Sequence, residues 1–250
     1  MRNLIYGFHS VTSYLKQNPH GIDSIYLDSK RNDKRLQQVL TLAAHHHIAV
    51  ELVVTEKLNQ LLSHTNHQGI IAKVSSSLSQ PKTLDEVLNT LGNKPDALVL
   101  ILDGITDPQN LGAIIRSADC FGVDAVIIPK DNSASVDNPV VAKVSSGAIY
   151  SLPVLTVNNI NRTMDKLKEH EFWIAGTSLR QNSINLFEFK FQGKLAWVMG
   201  NEGSGIRRLI TENCDYLISI PMLGQTQSLN VSVATGVVLA YTKFMQEKLG

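Results

Sequence analysis

Leu195-Ala196-Trp197-Val198-Met199-Gly200-Asn201-Glu202-Gly203-Ser204-Gly205 is the stretch on which the fold turns. Its first five residues are continuously apolar, as in a strand covered on both faces. Three glycines then let a backbone approach a ligand closely, and Arg207 and Arg208 open a short basic helix. The order is G-x-x-G-x-G, not the G-x-G-x-x-G of dinucleotide-binding folds, and Glu202 in its middle would repel a pyrophosphate. The missing ribose-binding acid about 20 residues later also speaks against a Rossmann dehydrogenase. No Gly-Lys-Ser/Thr follows, which excludes a P-loop. A plain turn is the simpler alternative, because glycine clusters are common turn punctuation.

Outward from this stretch, apolar runs recur as strands at Leu98–Leu102, Ala125–Ile128, Val154–Val157, Trp173–Gly176 and Leu217–Ile220. Helical spacing falls between them at Leu111–Phe121, Pro139–Ser146 and Asn159–His170. A long helix runs from Leu229 to about Lys248, with Leu229, Val233, Gly236, Val237 and Ala240 on its expected buried face. Continuous aliphatic strands alternating with helices predict an α/β domain built on a mainly parallel sheet. The serine-rich, proline-containing stretch before it, which passes into a short helical pattern ending at Leu91-Gly92, predicts a linker over 75–94, so that the chain divides into domains 1–74 and 95–250. In the first domain, strands are expected at Ile22–Leu27, Val50–Val54 and Gly69–Val74. Helices are expected at Asp33–His47 and from Thr55, giving a small α/β/α sandwich.

Two further polar loops follow strands of the second domain, the usual place for a ligand in an open α/β sheet. The first, Asp103 to Gly112, leads into a helix with Asn110 as expected N-cap and Arg116 on its exposed face beside Gly112. A bare glycine beside a guanidinium leaves room for a bulky anion; an ordinary cap and a solvated arginine are the alternative. The second is Ile220-Pro221-Met222-Leu223-Gly224-Gln225-Thr226-Gln227-Ser228-Leu229-Asn230. Ser228 is read as a cap. Asn230, a poor helix former in the first turn, carries an amide able to orient a substrate hydroxyl or a catalytic side chain.

Composition narrows the classes. The chain has 250 residues, 43% of them hydrophobic and 18% charged, enough to bury a proper core. Its longest aliphatic run, Ala97 to Leu102, is far shorter than the about 20 apolar residues of a membrane span, and no apolar stretch of signal-peptide length follows Met1. Cys120 and Cys214 stand alone, which argues against a disulfide scaffold and a zinc site and predicts reduced, mostly buried thiols in a cytoplasmic protein. The net charge is +1, but residues 1–75 hold 8 Lys/Arg against 5 Asp/Glu, together with seven of the eight histidines. An anionic partner therefore suits the amino-terminal part.

Asn110 and Arg116, then Gly200-Asn201-Glu202-Gly203-x-Gly205, then Ser228-Leu229-Asn230-Val231-Ser232 together resemble the three signature motifs of the SpoU (TrmH) family. These are S-adenosylmethionine-dependent RNA ribose 2′-O-methyltransferases. Tyr6-Gly7-x-His9 and His67-Gln68-Gly69-Ile70-Ile71-Ala72 resemble that family's substrate-binding domain. The nearest branch methylates guanosine ribose in bacterial 23S rRNA. The resemblance implies a trefoil-knotted SPOUT methyltransferase domain behind a small α/β RNA-binding domain, and a cytoplasmic homodimer whose site can borrow residues from the partner. The methyl donor would be held near Thr177, Gly200, Ile220, Met222 and Leu229, without a metal. Arg116 would have the central catalytic role, positioned by Asn110, Glu202, Ser228 and Asn230. It is either a base activated in a desolvated site or a permanent cation that orients the ribose-phosphate and stabilises the alkoxide, since a guanidinium ordinarily stays protonated. A tRNA or resistance-type rRNA ribose methyltransferase of the same family, and a non-catalytic RNA-binding module, are the alternatives.

Overall fold

Four short strands build the first sheet: β1 (Leu4–Tyr6), β2 (Ile22–Asp28), β3 (Ala49–Val53) and β4 (Ile70–Val74), in the order β1-β4-β2-β3. The computed structural model describes residues 4–62, 67–75, 83–180, 182–201 and 203–249. β4 pairs antiparallel with β1 and β2, and β2 pairs parallel with β3. Alternation along the strands sends Ile5, Ile25, Leu27, Ile70 and Ala72 to one face and Leu4, Tyr6 and Ile71 to the other. Helices α1 (Phe8–Gln17) and α2 (Lys34–His45) cover the first face with Val11, Leu15, Leu36, Val39 and Ala43. Helix α3 (Thr55–Leu61) covers the second with Leu58. α2 starts where it does because the Asp33 carboxylate accepts the N–H groups of Arg35 and Leu36 at 3.0 and 3.1 Å.

Residues 83–92, inside the stretch expected to be linker, form a capped helix. Thr83 and Glu86 make a reciprocal capping box at the start of α4 (Leu84–Gly92), and Val87, Leu88 and Leu91 enter the core of the second unit. The short helical pattern ending at Leu91-Gly92 is this helix; its three buried positions make it part of a core, not of a linker. The chain separates into a first compact unit of Met1–Pro81 with Val136–Ser151 and a second of Lys82–Ser135 with Leu152–Gly250.

Among its described residues the second unit carries seven parallel strands: β5 (Ala97–Asp103), β6 (Ala125–Pro129), β7 (Val154–Val157), β8 (Trp173–Thr177), β9 (Ile184–Asn185), β10 (Lys194–Gly200) and β11 (Tyr216–Ser219). Their order is β7-β6-β5-β10-β8-β11-β9, every pairing parallel. α4, α7 (Ile160–Glu169) and α8 (Arg208–Glu212) pack on one face over Val99, Ile101, Ala196 and Val198. α5 (Pro108–Cys120) packs along α9 (Val231–Leu249), and Thr242 of α9 accepts the indole N–H of the fully buried Trp197 at 2.9 Å. The remaining helix, α6 (Pro139–Val144), belongs to the first unit.

Several local expectations change. Asp107, not Asn110, caps α5, because Pro108 occupies the first helical position and Asp107 accepts the Gln109 N–H at 3.0 Å. Gly112 is buried rather than exposed beside Arg116. α9 begins two residues late: Asn230 caps it, accepting the Ser232 N–H at 2.9 Å. Its buried positions are Val231, Thr235, Val238, Leu239, Thr242 and Met245, while Val233 stays 52% exposed. The helix is apolar nearly all round, so periodicity could not choose its inner face. Cys120 is exposed, and burial pushes the Cys214 thiol up to about 12.

Candidate active site

Parallel pairing sets Gly200, the last residue of β10, beside Asp103, the last residue of β5. The loops after these two strands therefore leave the sheet side by side. β8 and β11 adjoin in the same direction, so the loops after Thr177 and Ser219 rise at the same edge. Carboxyl ends of parallel strands, where the strand order changes direction, are where open α/β sheets bind ligands.

A cavity of about 460 Å³ opens there. Thr177, Ser178, Leu179 and Arg180 form one wall, and Met199, Gly200, Asn201, Gly203, Ser204 and Gly205 form the second. Ile218, Ile220 and Met222 with Ser228, Leu229 and Val231 close it. Its size falls within the about 300–1,000 Å³ of small-molecule sites, and its wall mixes apolar side chains with backbone amides. Gly200 is required for this shape. A Cβ at that position would lie 2.2 Å from the Gly205 carbonyl carbon and 2.3 Å from the Ile206 nitrogen. The loop closes tightly because Asn201 and Gly205 exchange backbone hydrogen bonds at 3.1 and 2.8 Å, with Gly205 in the left-handed region at φ +67°.

Two contacts tie this glycine loop to the loop after β5. The Asn201 amide donates to the Gly104 carbonyl at 2.9 Å. Asp103, 1% exposed, accepts from the Arg207 backbone N–H at 2.9 Å, from its Nε at 2.8 Å and from its Nη2 at 2.7 Å. A buried carboxylate demands such compensation. Asp103, Asn201 and Arg207 were not among the expected site residues. The sequence signal was present all the same: an acid at the inner end of a continuously apolar strand, with a cation soon after a glycine loop.

Thr177, Gly200, Ile220, Met222 and Leu229, the expected donor residues, all lie on the cavity wall, and so does Ser228. Asn110 and Asn230, 120 positions apart, meet where α5 and α9 begin, with Asn230 Nδ2 donating to Asn110 Oδ1 at 3.0 Å. Arg116 is elsewhere. It is exposed on α5, is not part of the cavity wall, and makes no hydrogen bond or ion pair among the described residues. Glu202 lies outside the described residues. Among the described residues no three His, Cys, Asp or Glu side chains come together as a metal site, and no helix is long and apolar enough to cross a membrane.

Residues 97–240 match the SpoU rRNA Methylase family, and residues 4–79 match the RNA 2′-O ribose methyltransferase substrate binding family. The chain is 46% identical to the 23S rRNA (guanosine-2′-O-)-methyltransferase RlmB of Neisseria meningitidis, over 96% of this chain and 94% of that protein. It is 42% identical to the protein of the same name from Haemophilus influenzae over 100% of both chains. The crystal structure of the SpoU methyltransferase AviRb from Streptomyces viridochromogenes in complex with AdoMet has the same fold. The TM-score is 0.79 at 24% identity, covering 99% of this chain and 91% of that one.

Proposed function

The chain belongs to the SpoU rRNA methylase family, and from that membership we propose that it transfers a methyl group from S-adenosylmethionine to the 2′-oxygen of a guanosine ribose in 23S rRNA. The near full-length likeness to 23S rRNA guanosine-2′-O-methyltransferases carries the substrate. The residues present fit the donor: Gly200 lets the backbone at Gly205 and Ile206 fold back closely enough to shape one wall, and the cavity sets the apolar Ile218, Ile220 and Met222 beside that loop. When bound there, S-adenosylmethionine supplies an activated methyl on a sulfonium, so no metal is required.

We assign donor binding to Thr177, Gly200, Ile220, Met222 and Leu229, and ribose positioning to Asn110, Ser228, Asn230 and Glu202. The Asn110–Asn230 bond fixes two amides in one orientation, which suits a hydroxyl that must be aimed. The Arg116 guanidinium holds the ribose-phosphate and stabilises negative charge developing on the 2′-oxygen, whose proton is released to solvent. Because Arg116 is exposed and off the wall of its own cavity, it serves the cavity of a second subunit. The homodimer this requires is supported by α9, which leaves Val233 52% and Phe244 58% exposed beside the half-buried Val237 and Ala240. Residues 1–74 form the RNA-binding domain, the 95–250 domain carries the family's trefoil knot, and the reaction takes place in the cytoplasm.

The test is methyl transfer from labelled S-adenosylmethionine to unmodified 23S rRNA, followed by nuclease digestion. The expected product is a single 2′-O-methylguanosine. Label on a base, or on tRNA alone, contradicts the assignment.

A further inference from the structure

Charge in the first unit is sorted by sheet face. α1 and α2 together contain no Asp or Glu, yet they carry His9, Lys16, Lys34, Arg35 and His45. The acids at Glu51 and Glu56 sit on β3 and α3, and α3 covers the opposite face of the sheet. Glu51 is also paired with Lys57 at 2.6 Å. A groove runs between α1 and α2, lined by Thr12, Lys16, Asn32, Lys34, Gln37 and Gln38. Its one acid, Asp33, is already engaged: it caps α2 and accepts from Arg31 Nε at 2.9 Å. Lys16, Lys34 and Arg35 are exposed and have no carboxylate partner among the described residues.

We propose that the α1–α2 face of the first unit is a track for the sugar-phosphate backbone of the RNA substrate, with Lys16, Lys34 and Arg35 meeting phosphates and Asn32, Gln37 and Gln38 meeting ribose hydroxyls. This rests on the rRNA reading above and deepens it by naming the surface. Unpaired cations on a face whose one groove acid, Asp33, is already engaged concentrate a polyanion, and uncharged amides in the groove between them match the donor-and-acceptor 2′-hydroxyl. A folded protein surface offered to a protein partner would interleave both signs; here both helices of this face carry one sign only.

The experiment measures binding of the full chain to unmodified 23S rRNA and to a short oligouridylate across a series of salt concentrations. The variant K16Q/K34Q/R35Q is expected to bind both about tenfold more weakly, with the slope of log K against log salt shallower by about two, as for three lost single-strand phosphate contacts. K16Q and K34Q alone are each expected to flatten it by about 0.7. Thermal unfolding and S-adenosylmethionine affinity should stay at wild-type values. Wild-type slope and affinity in the folded variants overturn the proposal, as does an equal loss in E51Q/E56Q on the opposite face. If the wild-type chain fails to methylate 23S rRNA while K16Q/K34Q/R35Q still loses oligouridylate binding, the track stands and the 23S assignment falls.

Discussion

His67 shows how one residue carries information about its surroundings. Its ring is buried, its Nδ1 accepts the Gly69 N–H at 3.0 Å, and its Nε2 faces Asn59 Oδ1 at 2.9 Å, which fixes a neutral tautomer with the proton on Nε2. Burial holds the imidazole below its ordinary range; Asp28 opposes this and Lys143 adds to it. A base whose folded affinity for protons is depressed makes stability fall as pH drops, because the unfolded chain binds the proton first. Its contribution is complete above the unfolded value of about 6.5 and is lost progressively below it. Thermal unfolding from pH 7.5 down to pH 5 should therefore show a declining midpoint in the wild type and a flatter decline in His67→Gln. Identical pH dependence in the two proteins would contradict this. The sequence had marked His67 through the stretch ending at Ala72, but nothing in its spacing revealed the buried ring or its two partners.

Among the elements, the strands of the second unit were the most legible. Leu98–Leu102 and Ala125–Ile128 are buried on both faces, so their apolar runs were uninterrupted, and the structure differs by a residue or two at the ends. β1 and β9 were not anticipated; three and two residues are too few to show a period. The start of α5 was misread because Asp107 and Asn110, both residues that cap helices, stand three apart and the position of Pro108 decides between them. Asp103 and Arg207 each carried a sequence signal, but that they pair was not legible, for a different reason. It joins residues 104 positions apart through the register of β5 and β10, which no local pattern encodes. This latch holds the glycine loop against the loop after β5. Arg207→Ala should raise the KM for S-adenosylmethionine about tenfold with a smaller change in kcat, and Arg207→Lys should restore part of it. An unchanged KM would remove the latch from the account of donor binding.

At the scale of the whole molecule, the three polar loops expected from sequence meet, the first bound to the second through Gly104 and Asn201 and to the third through Asn110 and Asn230. The glycine loop and the loop after β11 line one cavity, and the exposed Arg116 is not part of its wall. The uncovered apolar side of α9 supplies the physical reason to expect a second copy. Co-expression of Arg116→Ala and Ser228→Ala chains, purified as a mixed dimer through two tags, should recover up to one working site from two inactive variants. Activity no higher than that of either variant alone would place Arg116 and its cavity within a single chain.

S-adenosylmethionine titrated calorimetrically into the wild type, Arg116→Ala and Gly200→Ala tests most directly whether donor capture and ribose activation reside in separate parts. Gly200→Ala, whose new Cβ would collide with the Gly205 and Ile206 backbone, should lose the binding heat, while Arg116→Ala binds as the wild type does yet transfers no methyl to rRNA. Loss of donor affinity in a folded Arg116→Ala chain, or full affinity in Gly200→Ala, would contradict the account.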